Sequence, residues 1–315
     1  MSKSSFSLLI IFSLVVFLGV SFFAFSKQQK VSMVSPVLGA AKIKLADNLW
    51  FPKQSPNSFT NAPEITADSA FFVDTNTGEV LYDKNSHQKL RVASLTKIMT
   101  VILAMNNKKL DDTFYVSEHA ANMDPDKMLL IAGERLSLEE LIEGIFLVSA
   151  NDAAEVLAEN IASSRDEFIK LMNEQATALG MKDSLFINPS GLEEDDSTTN
   201  SGLKEQHSSA FDISLMSRYA IKTWPKLVDI SSKDHIILPQ TSTHQDYDMY
   251  SGINLLTTYP GVVGFKTGYT PEAGLTLVTL ARRGDKEVLG VILGATDRRD
   301  DAKMLLDYSF KKLGL

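Results

Sequence analysis

Ala70-Phe71-Phe72-Val73-Asp74-Thr75-Asn76-Thr77-Gly78-Glu79-Val80-Leu81-Tyr82 places two short runs of strand-forming residues on either side of a turn. Asn76 and Gly78 supply the turn dihedrals, so the stretch predicts a hairpin. Strand patterns return near the other end of the chain, at Leu275–Ala281 and Val288–Leu293, linked through Arg283-Gly284-Asp285-Lys286. Between them the periodicity is helical. Ser137 with Glu140 predicts a capping box leading into Leu141-Ile142-Glu143-Gly144-Ile145-Phe146-Leu147. Asp152–Ile161, Asp166–Leu179 and Asp212–Lys222 repeat the apolar i, i+3, i+4 spacing, and a last amphipathic helix is expected from about Asp300 to Lys312. Strands at both ends with helices between imply an α/β (α+β) body: one antiparallel sheet, flanked by helices, with a helical lobe inserted. The boundary between sheet and lobe is where a cleft is expected.

The whole chain has 315 residues, 31 Lys+Arg against 39 Asp+Glu, a formal charge of −8, 44% hydrophobic residues and no cysteine. That composition provides a packed core and excludes a disordered chain. The acidic balance argues against nucleic acid as a partner, which calls for a basic face. Without cysteine there is no disulfide, no thiolate-bound zinc and no thiol nucleophile. The five histidines, His87, His119, His207, His235 and His244, show no HxxxH or HExxH spacing, so no metal or other cofactor is implied. No internal repeat is visible.

Ser4 to Ser26 carries no charge, and Phe6–Phe25 is almost wholly apolar. About 20 helical residues span about 30 Å, the thickness of a bilayer's hydrocarbon layer. A core helix would keep a polar face; this run has none, so residues 1–27 are expected to be a membrane anchor or signal segment. The run exceeds the about 7–15 residues of a signal core and no Ala-x-Ala follows it directly, which favours a retained anchor. Lys3 lies on one side and Lys27 and Lys30 on the other, so charge alone sets no orientation. Residues 28–68, with Pro36, Pro52, Pro56 and Pro63, read as an extended tether, on which Trp50 and Phe51 are candidates to dock on the body. Residues 69–315 are the expected globular domain.

Three short motifs in that domain carry chemistry. Ser94-Leu95-Thr96-Lys97 opens a helical pattern, and positions i and i+3 are neighbours on a helix, so the Ser94 hydroxyl meets the Lys97 amine. A serine needs a base to become a nucleophile, and a lysine whose pKa is lowered by burial and a nearby cation can serve. The spacing alone is weak: Ser86/Lys89, Ser201/Lys204 and Ser309/Lys312 share it. Ser94 is singled out by a turn before it and an apolar helix after it, where amide N–H groups favour an oxyanion. Ser149-Ala150-Asn151 lies at a junction between two helical patterns; a hydroxyl there can relay a proton and an amide can hold a peptide group. The same residue types make an ordinary helix corner, and Ser55-Pro56-Asn57 repeats the pattern. Lys266-Thr267-Gly268 follows Val262-Val263-Gly264-Phe265; a cation and a hydroxyl suit a carboxylate, and Gly268 permits close backbone approach. On a regular strand Lys266 and Gly268 share one face and Thr267 takes the other.

Ser-x-x-Lys, Ser-x-Asn and Lys-Thr-Gly, in that order, make up the motif set of penicillin-binding proteins and related β-lactamases. The chain resembles the D-alanyl-D-alanine carboxypeptidases, low-molecular-mass penicillin-binding proteins. The likeness runs from about Ala70 to Leu315. It includes Ala93–Thr100, Met181-Lys182, Asn188-Pro189-Ser190-Gly191-Leu192, His207-Ser208-Ser209-Ala210, Gly264–Thr270 and Ala273-Gly274. The resemblance implies a β-lactamase/transpeptidase-like fold and, as partners, a peptidoglycan stem peptide and β-lactam antibiotics as inhibitors. It implies Ser94 as the acylated nucleophile, Lys97 as its base and Ser149 as a bridge between Lys97 and Lys266. By the same resemblance Asn151 binds the stem's amide, Lys266 and Thr267 hold the terminal carboxylate, and Gly268 lines the substrate-binding site. The N–H groups of Ser94 and Tyr269 form the oxyanion hole, and Arg298, beside Arg299, is the distal carboxylate ligand. The family often continues into a β-rich domain and a C-terminal amphipathic helix, whereas this sequence stops at Lys311-Lys312-Leu313-Gly314-Leu315; attachment is then expected through Phe6–Phe25, with the body outside the cytoplasm.

Other functions share these features. A serine β-lactamase needs a water-activating carboxylate, spaced in one class as Glu-x-x-x-Asn; Glu193 and Glu194 lack the asparagine, while Asp196 precedes Asn200 at that spacing. A catalytically idle wall-binding module would keep the motifs without an ordered cleft. A transpeptidase or endopeptidase differs only in what receives the acyl group.

Overall fold

The structure, a computed structural model, describes residues 42–43, 50–56, 58–192 and 205–315. The apolar segment Phe6–Phe25, most of the 28–49 stretch and the carboxylate-rich residues 193–204 lie outside the described residues. Among the described residues no helix is long and apolar enough to cross a membrane.

The predicted hairpin is present as β1 (Ser69–Asp74) and β2 (Val80–Lys84), antiparallel, with Gly78 at φ +73° in its turn. The C-terminal strands are β7 (Val262–Thr270), β8 (Gly274–Arg283) and β9 (Lys286–Ala295). β9 pairs with β1, so the two ends of the body close one antiparallel sheet in the order β2-β1-β9-β8-β7. β1 is buried along its whole length, and its period of two divides the core. Phe71 and Val73 face the helical lobe; Ala70 and Phe72 face the opposite layer. Burying each phenylalanine contributes roughly 1.5–3 kcal/mol. Phe72 also explains Gly290 on β9, where a Cβ would lie 2.3 Å from its ring.

Helix α9 (Arg298–Lys312) covers one face of the sheet through Leu305, Leu306 and Phe310. The other face carries the inserted lobe. Its helices are α1 (Lys97–Asn107), α2 (Glu118–Ala121), α3 (Leu138–Leu147), α4 (Asn151–Ile161), α5 (Arg165–Ala178), α6 (Ala210–Thr223) and α7 (Lys226–Ser231). The expected capping box at Ser137 and Glu140 starts α3. Ser164 and Ser209 cap α5 and α6 by accepting from N–H groups three residues on. Two small ladders, β3 (Thr113–Tyr115) with β4 (Arg135–Ser137) and β5 (His235–Leu238) with β6 (Tyr247–Tyr250), and a one-turn helix α8 (Leu255–Thr258) complete the body.

Residues 50–56 and 58–68 run over this body without regular secondary structure. The Lys53 N–H donates to the Gly78 carbonyl at 2.8 Å, and the Arg218 guanidinium stacks 4.3 Å over Trp50. Phe51 closes over Gly180, where a Cβ would meet its ring at 2.8 Å. The Thr66 and Ala67 N–H groups both donate to the Asp301 carboxylate at 2.9 Å.

Candidate active site

The nucleophile turn is tighter than an α-helix. Ala93–Thr96 forms a 3-10 turn and the α-helix begins at Lys97, three residues later than the sequence pattern suggests. Ala93 enters the turn at φ +47°, and the Thr96 hydroxyl donates to the Ala93 carbonyl at 2.8 Å. Two glycines let other backbones press against it. A Cβ on Gly191 would lie 2.0 Å from the Ala93 carbonyl oxygen, and one on Gly268 would lie 2.9 Å from the Ser94 nitrogen. Gly191 sits at φ +84°, so a side chain is excluded there on two counts.

This crowding sets two serine–lysine contacts. Ser94 Oγ lies 2.8 Å from Lys97 Nζ, which also donates to the Ser190 carbonyl at 2.8 Å. Ser149 Oγ lies 2.9 Å from Lys266 Nζ, which donates to the Thr267 carbonyl at 2.8 Å. Ser149 occupies the α3–α4 corner at φ +61°, a conformation a non-glycine residue holds only when its surroundings impose it. Both lysines are essentially fully buried. Burial lowers Lys97 to about 7, against an opposing pull from Asp126 and Asp152. Burial, then the charges of Lys97 and Arg298, holds Lys266 well below the ordinary lysine value. A neutral amine beside a serine hydroxyl accepts its proton, so this arrangement generates a nucleophile near neutral pH.

Asn151 opens α4 and is 1% exposed; its Oδ1 is buried and has no hydrogen-bond partner among the described residues. A peptide N–H is the group that would satisfy it. On β7 the alternation holds: Lys266 and Gly268 face the serines, whereas Thr267 lies against Gly252 and lines a small pocket with Leu277, Arg298 and Arg299. Arg298 Nη1 donates to the Gly268 carbonyl at 2.6 Å and to the Thr276 carbonyl at 3.2 Å, which settles its guanidinium beside β7. The Tyr269 side chain is exposed. β7 is an outer strand of the sheet, so its free edge borders the cleft.

Among the described residues the other Ser-x-x-Lys matches make no comparable contact. Ser309 donates to the Leu305 carbonyl, and Lys312 lies over Phe59. Ser201, Lys204, Glu193, Glu194, Asp196 and Asn200 lie outside the described residues. His119, Glu155 and Glu159 bring metal-ligand atom types within 4.8 Å, a cluster that sequence spacing does not reveal; Arg165 Nε lies 3.4 Å from Glu155 and already supplies positive charge there.

The loop 188–191 holds the site from behind. The Asn188 side chain accepts from the Gly191 N–H at 2.6 Å and Ser190 N–H at 3.2 Å, and the Thr100 hydroxyl donates to the Pro189 carbonyl at 2.6 Å. Gln206 ties this loop to the nucleophile turn by donating to Thr96 Oγ1 at 2.8 Å while accepting from the Ile187 N–H at 3.0 Å.

Residues 57–297 match the D-alanyl-D-alanine carboxypeptidase family, peptidase S11. The chain belongs to that family. It is 35% identical over 254 residues to D-alanyl-D-alanine carboxypeptidase DacF of Bacillus subtilis, covering 78% of this chain and 62% of the relative. With DacD of Escherichia coli it shares 31% identity, covering 84% and 66% respectively. The chain thus spans about two thirds or less of these two relatives. The Streptomyces K15 DD-transpeptidase structure superposes with a TM-score of 0.72 at 28% identity, covering 80% of this chain and 100% of that one. Penicillin-binding protein D2 of Listeria monocytogenes, in its ampicillin-bound form, gives 0.65 at 29%, covering 81% and 100%. The transpeptidase-like fold expected from the motifs is therefore the fold of this chain.

Proposed function

We propose that this protein is a serine-type D-alanyl-D-alanine carboxypeptidase, removing the terminal D-alanine from peptidoglycan stem peptides through an acyl-enzyme on Ser94. The observation that carries the reading is the 2.8 Å Ser94–Lys97 contact inside a pocket that keeps the lysine close to neutrality. Lys97 Nζ takes the hydroxyl proton as Ser94 Oγ attacks the carbonyl of the penultimate D-alanine. The Ser94 and Tyr269 N–H groups receive the oxyanion, by analogy with the family. Asn151 Oδ1 accepts an N–H of the stem. The terminal carboxylate lies toward Thr267 and Arg298, and Ser149, held by Lys266, relays the proton taken up by Lys97 to the leaving amine, which returns Lys97 to its neutral form. Water then cleaves the ester and restores Ser94. A β-lactam, whose strained amide mimics the same carbonyl, acylates the same oxygen.

The substrate polymer lies outside the cytoplasm. We place the body there, attached through the apolar segment Phe6–Phe25, and protease accessibility of the body on intact cells tests that placement.

The activity is tested on the full chain in detergent micelles, by intact mass after mixing with penicillin and by D-alanine release from an acyl-D-alanyl-D-alanine peptide. A one-to-one adduct that persists for minutes, absent from Ser94→Ala, with release of D-alanine, is expected. A fleeting adduct with rapid penicillin loss would make the protein a β-lactamase. A folded sample that forms no adduct would leave a wall-binding module.

A further inference from the structure

The loop 124–131 is fastened by its backbone to the start of α4. The Asn151 N–H donates to the Asp126 carbonyl at 2.8 Å. The buried Asp152 carboxylate accepts from the Met128 N–H at 3.1 Å and the Leu130 N–H at 3.0 Å. Met128 seats on Gly144 of α3, where a Cβ would lie 2.4 Å from its sulfur. The loop is thus a fixed wall of the site, and one carboxylate stands out of it. Asp126 is exposed, and among the described residues no cation lies within ion-pair distance of its side chain. Lys127, its neighbour, pairs instead with Asp124 at 2.9 Å. The charge of Asp126 nonetheless reaches both Lys97 and Lys266.

The cleft therefore has a charge gradient. Arg298 lies at the end proposed for the substrate's terminal carboxylate, and the Asp126 carbonyl accepts from the N–H of Asn151, whose side chain is proposed to hold the amide on the acyl side of the scissile bond. An exposed carboxylate with no ion-pair partner among the described residues, on the residue fastened to Asn151, complements a positive charge on the acyl half of the substrate.

We propose that Asp126 is a specificity-determining residue, receiving a cationic side chain on the residue that precedes the two D-alanines, so that stems with a free side-chain amine are preferred. The inference rests on the carboxypeptidase reading above. It deepens that reading by naming the form of stem: one whose side-chain amine has not been acylated, hence a strand not cross-linked through that amine. The reaction that would remove this substrate from the enzyme is acylation of the amine.

The test compares two peptides on the full chain in detergent: Nα-acetyl-L-lysyl-D-alanyl-D-alanine and its Nα,Nε-diacetyl form. An exposed charge pair of this kind is worth up to about 1 kcal/mol, so kcat/KM for the free amine should exceed that for the acetylated one about fivefold at low salt. The preference should fade as salt rises toward 1 M. In Asp126→Asn the ratio should fall to about one, and in Asp126→Glu most of it should remain. The ratio is the readout because any change in the lysines' protonation acts equally on both peptides. Equal turnover of the two peptides by the wild type, a preference insensitive to salt, or an unchanged ratio in Asp126→Asn would overturn the subsite. If Asp126→Asn does not fold, the wild-type ratio and its salt dependence still decide. Should neither peptide lose D-alanine and penicillin leave Ser94 unlabelled, the carboxypeptidase reading itself falls.

Discussion

Two places in this molecule take charged groups out of water, and they favour opposite outcomes: one keeps its group ionised, the other drives its groups toward neutrality. On the sheet, Glu287 accepts from Lys222 Nζ at 2.7 Å, Thr75 Oγ1 at 2.5 Å and Arg282 Nε at 2.7 Å. Burial alone would raise its pKa, but these partners outweigh it and bring it to about 2. In the cleft, Lys97, Lys266 and Arg298 crowd together, Asp126 and Asp152 offset them in part, and burial wins. The matched cluster fixes a charge and holds the fold; the unmatched one expels a proton and leaves a base. The cost of the second is borne by the whole body, whose large core can absorb it.

The largest expected effect comes from removing the mismatch. Lys97→Met should slow acylation of Ser94 by penicillin about a thousandfold, the scale of a lost general base. It should also stabilise the fold. An amine with pKa about 7 when folded and about 10.5 when unfolded binds fewer protons in the native state, so the wild type gains stability as pH rises from about 7 toward 10.5 and carries the full penalty below 7. The variant should therefore melt above the wild type at pH 6, and the gap should narrow by pH 9. A variant that melts lower at pH 6, with a gap independent of pH, would mean that Lys97 is not strained toward neutrality.

Breaking the matched cluster should do the reverse. Glu287→Gln removes a carboxylate held at about 2 against an ordinary 4.5, a loss of about 3 kcal/mol at neutral pH. A depressed carboxylate contributes fully above its unfolded pKa and loses that contribution as pH falls through its folded one. The variant's deficit in denaturant midpoint should thus be constant above about pH 5 and close toward pH 2. Acylation per folded molecule should stay at the wild-type rate, since Glu287 touches no group of the cleft.

A smaller effect needs no mutation. With Lys97 as base, the penicillin acylation rate should climb as the ammonium loses its proton, half-maximal near pH 7, about tenfold between pH 6 and pH 8. A rate flat over that interval, or one that rises only above pH 9, would place the working base elsewhere.

Most of the fold was legible because its signals are local. The hairpin of β1 and β2, the capping box at Ser137 and the strand runs of β8 and β9 each follow from side-chain period and turn residues within a dozen positions. The site was half legible for the same reason. Ser94 and Lys97 are three apart, and their contact needs only a helical turn. That Ser149 meets Lys266, 117 residues away, came from the family's motif order rather than from spacing. The carbonyl of Ser190, the brace from Gln206 to Thr96 and the charge of Asp126 went unread, because a backbone acceptor or a loop carboxylate has no sequence signature.

Thr100 offers the finest probe of that unread layer. Its hydroxyl, buried on α1 one turn after Lys97, holds the Pro189 carbonyl at 2.6 Å, and the next carbonyl in the loop is the acceptor for Lys97 Nζ. Thr100→Val keeps the shape and removes the donor, leaving a buried carbonyl unpaired at a cost of about 1 kcal/mol. The loop should relax away from α1, so that Lys97 loses part of its alignment toward Ser94. A few-fold fall in acylation rate is expected, with the pH for half-maximal rate moving slightly downward, because a carbonyl acceptor stabilises the ammonium more than the amine. A loss of stability without any change in rate or pH midpoint would show that the loop holds the fold alone, and that Lys97 is positioned by its own helix.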